Sequence, residues 1–122
     1  MKYAVLIYAK QGAVESLSDI EQERLFDEYL ALTRERAVLD SEQLQPVQTA
    51  TAVRVKDGRA LTTDGPFADT KEVFAGFYVI EVDTQEQAIE FAARVPASRM
   101  GGLVEVRPLA AGWARDEAAG SA

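Results

Sequence analysis

Histidine and cysteine are both absent from this chain. Without an imidazole there is no ordinary general base near neutral pH, no Ser-His-Asp triad and no histidine metal ligand. Without a thiol there is neither a disulfide nor a thiolate nucleophile, which agrees with a reducing compartment. Basic charge is in the minority: 13 Lys and Arg stand against 20 Asp and Glu, a net charge of -7 at pH 7. The basic residues form no cluster, so a nucleic-acid backbone would be repelled. Long hydrophobic runs are missing too. Residues 3–9 (YAVLIYA) are strand-sized, and with Lys2 as the single basic flank they are too short for a signal peptide. A cytoplasmic protein is expected, with neither nucleic acid nor membrane as a partner. No cofactor is called for, and no loop has the ligand spacing of a calcium site, so no metal is expected.

What is present is enough for one domain. A chain of 122 residues, 48% hydrophobic and 27% charged, has the composition of a globular protein and buries roughly two thirds of its unfolded surface. The four prolines fall at 46, 66, 96 and 108, each at the edge of a candidate element. Residues 2–9 read as a strand apolar on both faces, with Tyr3, Val5 and Ile7 on one and Ala4, Leu6 and Tyr8 on the other. Ser18 and Glu21 have capping-box spacing and open a first helix. Its apolar stripe is read as Phe26, Tyr29, Leu30, Thr33 and Ala37, and its end is placed between Arg36 and Leu39.

Residues 39–45 suit a short strand ended by Pro46. Thr51, Val53 and Val55 alternate with Ala52, Arg54 and Lys56 before Asp57-Gly58, a pair that favours a type I′ hairpin turn. The return arm, 59–63, runs into Asp64-Gly65-Pro66, a turn-forming cluster. Residues 74–82 form a second strand apolar on both faces. Asp83 with Glu86, or Thr84 with Gln87, then caps a helix whose buried stripe is read as Ala88, Ile89 and Ala92. Gly101-Gly102 turns the chain into a last strand, 103–108. The domain is taken as 1–112, with 113–122 a flexible tail rich in Ala and Gly. The order is that of an α+β, ferredoxin-like βαββαβ fold with an inserted β-hairpin. Two helices cover one face of such a sheet, yet its central strands are apolar on both, so a homodimer is expected to cover the other.

The segment TDGPFADTKE, residues 63–72, resembles the hallmark of the DGPF-domain branch of the YCII-related family, with Asp69 where the usual form has Glu. MKYAVLIYA at 1–9, LQP at 44–46, TATAVRVKDGR at 49–59, AGFYVIEV at 75–82 and VEVRPL at 104–109 are similar to the family's segments in the same order. The resemblance spans residues 1–109. It implies a dimeric α+β barrel. It also implies a regulatory accessory role, because members of this branch occur beside or fused to sigma factors of the extracytoplasmic-function type. The histidine-acid pair of wider relatives cannot be carried over to a chain without histidine.

The motif is the candidate site, since loops held by a rigid sheet often carry function. Asp64, Lys71, Glu72 and the aromatic Phe67 lie within nine residues. With Arg54 nearby they are the expected ligand-binding set for a small metabolite. Asp64 and Glu72 are the candidates for acid-base chemistry, because paired carboxylates can raise one pKa towards neutrality. The bland alternative is that Gly65 and Pro66 fix a turn, Asp64 caps amides and Phe67 plugs an interface. Three readings stay open: a ligand-binding or regulatory module, a small cofactor-free enzyme using these carboxylates, and a structural interaction dimer. Tyr3, Tyr8, Tyr29 and Tyr78 are read as core rather than pocket, and Glu105 with Arg107 as a polar edge or intersubunit ion pair.

Overall fold

The computed structural model describes residues 1–66 and 70–111. The order along the chain is β1 (Lys2–Lys10), α1 (Asp19–Thr33), β2 (Val38–Gln43), β3 (Thr51–Lys56), β4 (Arg59–Asp64), β5 (Glu72–Glu81), α2 (Gln85–Ala93) and β6 (Leu103–Pro108). An antiparallel sheet runs β2-β5-β1-β6, and β3 pairs with β4 in a sheet of their own. This is the ferredoxin-like arrangement with a hairpin inserted between the second and third strands of the split motif. The expected C-terminal tail, 113–122, lies outside the described residues.

One face of the large sheet is closed by the helices. Tyr3, Val5 and Ile7 stand opposite Ile80, Tyr78 and Gly76 and meet Leu32, Ala88, Phe91 and Val95 in the core. Burying an aliphatic side chain of this kind contributes about 1.5–3 kcal/mol. The Tyr78 hydroxyl is not stranded there, because it donates to the Tyr29 carbonyl at 3.0 Å.

Both helices start where their boxes predict. The Glu21 amide donates to Ser18 Oγ at 3.2 Å and the Ser18 amide to the Glu21 carboxylate at 3.0 Å. Of the two boxes open to the second helix, Thr84 with Gln87 forms. The ends and stripes differ from expectation. α1 stops at Thr33 with Arg34 as its C-cap, short of 36–39, because the sheet claims the next backbone: the Glu81 amide donates to the Ala37 carbonyl at 2.9 Å. Its buried line is Leu25 and Leu32 with Tyr29 half-buried, while Phe26 is 55% exposed. That line repeats at four and then three residues, and Phe26 sits about 100° around from Leu25. On α2, Phe91 takes the place expected of Ile89, which faces water. β2 begins and ends earlier than 39–45, and β5 begins two residues before 74 and stops one short of 82.

The other face has no helical cover among the described residues. Leu6 opposes Phe77 and Ala4 opposes Val79, and β6 adds Leu103, Glu105 and Arg107 beside Tyr8, Leu6 and Ala4. The register slips by one residue on β5, so that Ile7 pairs Gly76 but Tyr8 pairs Phe74. Ala75 is the extra residue, and its carbonyl accepts the Leu44 amide at 2.9 Å. The slip turns Phe74 to the open face, where its ring lies 5.5 Å from that of Tyr8.

The β3–β4 hairpin turns as its sequence predicts. Asp57 (φ 52°) and Gly58 (φ 74°) both occupy the left-handed region, which a type I′ turn requires. Its strands pair from Thr51–Asp64 to Lys56–Arg59, and every residue from Val53 to Asp64 is exposed.

Candidate functional site

The motif at 63–72 is fixed at both ends. Its first part closes the base of the hairpin: Gly65 sits at φ +89°, and its amide donates to the Ala50 carbonyl at 2.6 Å. A side chain at that φ would be strained, which accounts for glycine there. Its last part is tied to the residue following β1. The Gln11 amide donates to the Lys71 carbonyl at 2.9 Å, the Gln11 side-chain amide to the Thr70 carbonyl at 2.6 Å, and Thr70 Oγ1 to the Glu72 carbonyl at 2.5 Å. Phe67, with Ala68 and Asp69, lies outside the described residues.

Between this motif, the 44–52 segment and the open face of the sheet is a cleft of about 820 Å³. That falls within the roughly 300–1,000 Å³ of small-molecule sites. Its floor is aromatic and aliphatic, with Tyr8, Val73, Phe74 and Leu103, and among the described residues its charged side chains are Glu72 and Glu105. One wall is the segment after β2, held in a short turn by Thr49, whose amide and hydroxyl both donate to the Pro46 carbonyl at 2.9 and 2.8 Å. The opposite wall carries Gly65, Pro66 and Thr70 of the motif. A smaller hollow of about 500 Å³ lies on the far side of Lys10, against Gln11, Ser16 and Met100.

Of the residues singled out from sequence, Glu72 lines the cleft, whereas Asp64, Arg54 and Lys71 do not. Asp64 ends β4 opposite Thr51, and Arg54 lies mid-hairpin opposite Leu61; both are exposed, as is Lys71. The cleft instead takes Glu105 from β6, whose carboxylate also accepts Arg107 Nε at 3.0 Å, so the ion pair forms within one strand. Tyr8 belongs to the cleft floor, while Tyr3 and Tyr78 are core as expected. The alternation on 103–108 was the available signal for Glu105. It becomes a site residue only when β6 pairs with β1.

Charge on the helix-covered side is organised by two arginine forks. Arg99 donates to both Glu28 oxygens at 2.8 and 2.7 Å, and Arg94 grips both oxygens of Glu35. These bonds hold each carboxylate below its ordinary pKa against a smaller opposing effect of burial. Burial pushes the Tyr29 and Tyr78 phenols above their usual range. Among the described residues no three carboxylates gather in a way that could hold a metal ion. None of the helices described is long and apolar enough to cross a membrane.

A family model for the YCII-related domain matches residues 1–111. An uncharacterized protein of Rhizobium meliloti (strain 1021) is 35% identical over 115 residues, covering 90% of this chain and 93% of its own. Among solved structures, 5-chloro-2-hydroxyhydroquinone dehydrochlorinase of Burkholderia phenoliruptrix AC1100, in complex with 2,5-dihydroxybenzoquinone, superposes with a TM-score of 0.52. The match covers 90% of this chain and 94% of that one at 11% identity, a likeness that bears on the fold.

Proposed function

Because the chain belongs to the YCII-related family, we propose that it is a small-molecule binding module, working as a homodimer in the cytoplasm, whose site is the cleft beside the 63–72 motif. The observation that carries the reading is the cleft itself: about 820 Å³, floored by Tyr8 and Phe74 and walled by the motif's Gly65, Pro66, Thr70 and Glu72. Glu72 is the motif residue that meets the ligand. Dimerisation is supported by the uncovered sheet face and by the hairpin. Val53 and Val55 are 60% and 71% exposed, and an isolated two-stranded hairpin is at best marginally stable in water. A second subunit facing the open sheet would cover both. Lack of cysteine supports the cytoplasmic assignment.

The test is a fragment screen by amide chemical shifts, repeated on Ala52→Trp, which fills the cleft from β3. Bound fragments should move the amides of Tyr8, Glu72 and Phe74 in the native protein, and these movements should vanish in the variant while its circular dichroism is unchanged. Shifts scattered over the surface, or surviving the filled cleft, would remove the site.

A further inference from the structure

We propose that the ligand of this cleft is an organic cation, an amine carried on a flat apolar body. The inference rests on the cleft being the binding site and adds the chemistry of what enters. Its lining includes two carboxylates, Glu72 and Glu105, and no lysine or arginine among the described residues.

Lys10 and Arg107 neighbour the cleft carboxylates, one across the strand and one along it, and neither lines the cleft. Lys10 is the cross-strand neighbour of Glu72, but it lines the other hollow with Ser16 and Met100. Its stem lies against Gly101, whose added Cβ would stand 2.9 Å from Lys10 Cδ. Arg107 binds the Glu105 carboxylate and is itself outside the lining. Glu72 forms no ion pair among the described residues. A carboxylate or phosphate entering here would lose water and meet like charge, whereas an ammonium would find a carboxylate partner. The tilted rings of Tyr8 and Phe74, 5.5 Å apart, offer aromatic surface both to a flat body and to a cation.

The experiment compares three probes of one size and different charge, 2-phenylethylamine, 2-phenylethanol and phenylacetate, titrated into the full chain and followed by amide shifts of the cleft residues. The amine should bind at least tenfold more tightly than phenylacetate, about 1.4 kcal/mol, with the alcohol between. Glu72→Gln combined with Glu105→Gln should bring the three affinities together. Phenylacetate equal to or tighter than the amine overturns the proposal while leaving the cleft a binding site. So does an alcohol that matches the amine, or a preference that survives both substitutions in a folded variant. The wild-type ratio decides by itself if the double variant does not fold. Silence from all three probes overturns the cleft as a site, and this inference with it.

Discussion

Ile80 and Val55 are both β-branched residues in the middle or near the end of a paired strand, yet Ile80 is fully buried and Val55 is 71% exposed. The difference lies in what stands above them. Ile80 faces α1 and α2 across the sheet, within a core that one chain completes. Val55 belongs to a hairpin whose strands, among the described residues, pair only with each other. The helix-covered core is therefore built within one chain. The open side, sheet and hairpin together, has no helical cover among the described residues, and the cleft belongs to that side.

This contrast can be broken at several points. The largest effect belongs to the closed side: Ile80→Ala should destabilise the protein by about 3 kcal/mol through lost burial and a residual cavity. Urea unfolding would read the loss, which should be the same at every protein concentration; a loss that grows on dilution would place Ile80 in an assembly contact instead. On the open side, Val55→Asp should leave circular dichroism unaltered and shift sedimentation from dimer to monomer at micromolar protein. A wild-type chain that already sediments as a folded monomer would discard the dimer altogether.

The smallest effect concerns acid. Glu28 and Glu35 have pKa values held below 4.5 by Arg99 and Arg94. A depressed carboxylate stabilises the fold above its unfolded pKa, and the contribution is lost as pH falls through the folded value. The Glu28 and Glu35 side chains are 43% and 34% exposed, so each pair contributes only about 0.5 kcal/mol. Arg99→Gln should lower the unfolding free energy at pH 7 by that amount, and the gap from wild type should close as pH falls through the depressed Glu28 pKa. A gap that persists in acid would assign the effect of Arg99 to packing.

What could be read from sequence was local. The Ser18–Glu21 box, the Asp57-Gly58 turn and the two-faced strands 3–9 and 74–82 each state their conformation within a few residues, and each is present, the last with shifted ends. The helix stripes were misread because Phe26 and Ile89 look as apolar as Leu25 and Phe91. Only the crossing of helix and sheet decides which row is covered. The site was legible by half for a related reason. The 63–72 motif marked one wall, and Glu72 is in it. Tyr8, Leu103 and Glu105 come from strands at opposite ends of the chain, joined by the β1–β6 pairing that no short pattern announces.

The extra residue in β5 governs more than local twist. Were Ala75 held in regular alternation instead of bulged out, Phe74 would fall on the side of Gly76, Tyr78 and Ile80, crowding the helices and stripping the cleft of half its aromatic floor. The register at one point thus sorts which rings enter the core and which line the cleft. Swapping Phe74 for another aromatic would preserve that division of labour, whereas ironing out the bulge with every residue kept would erase it.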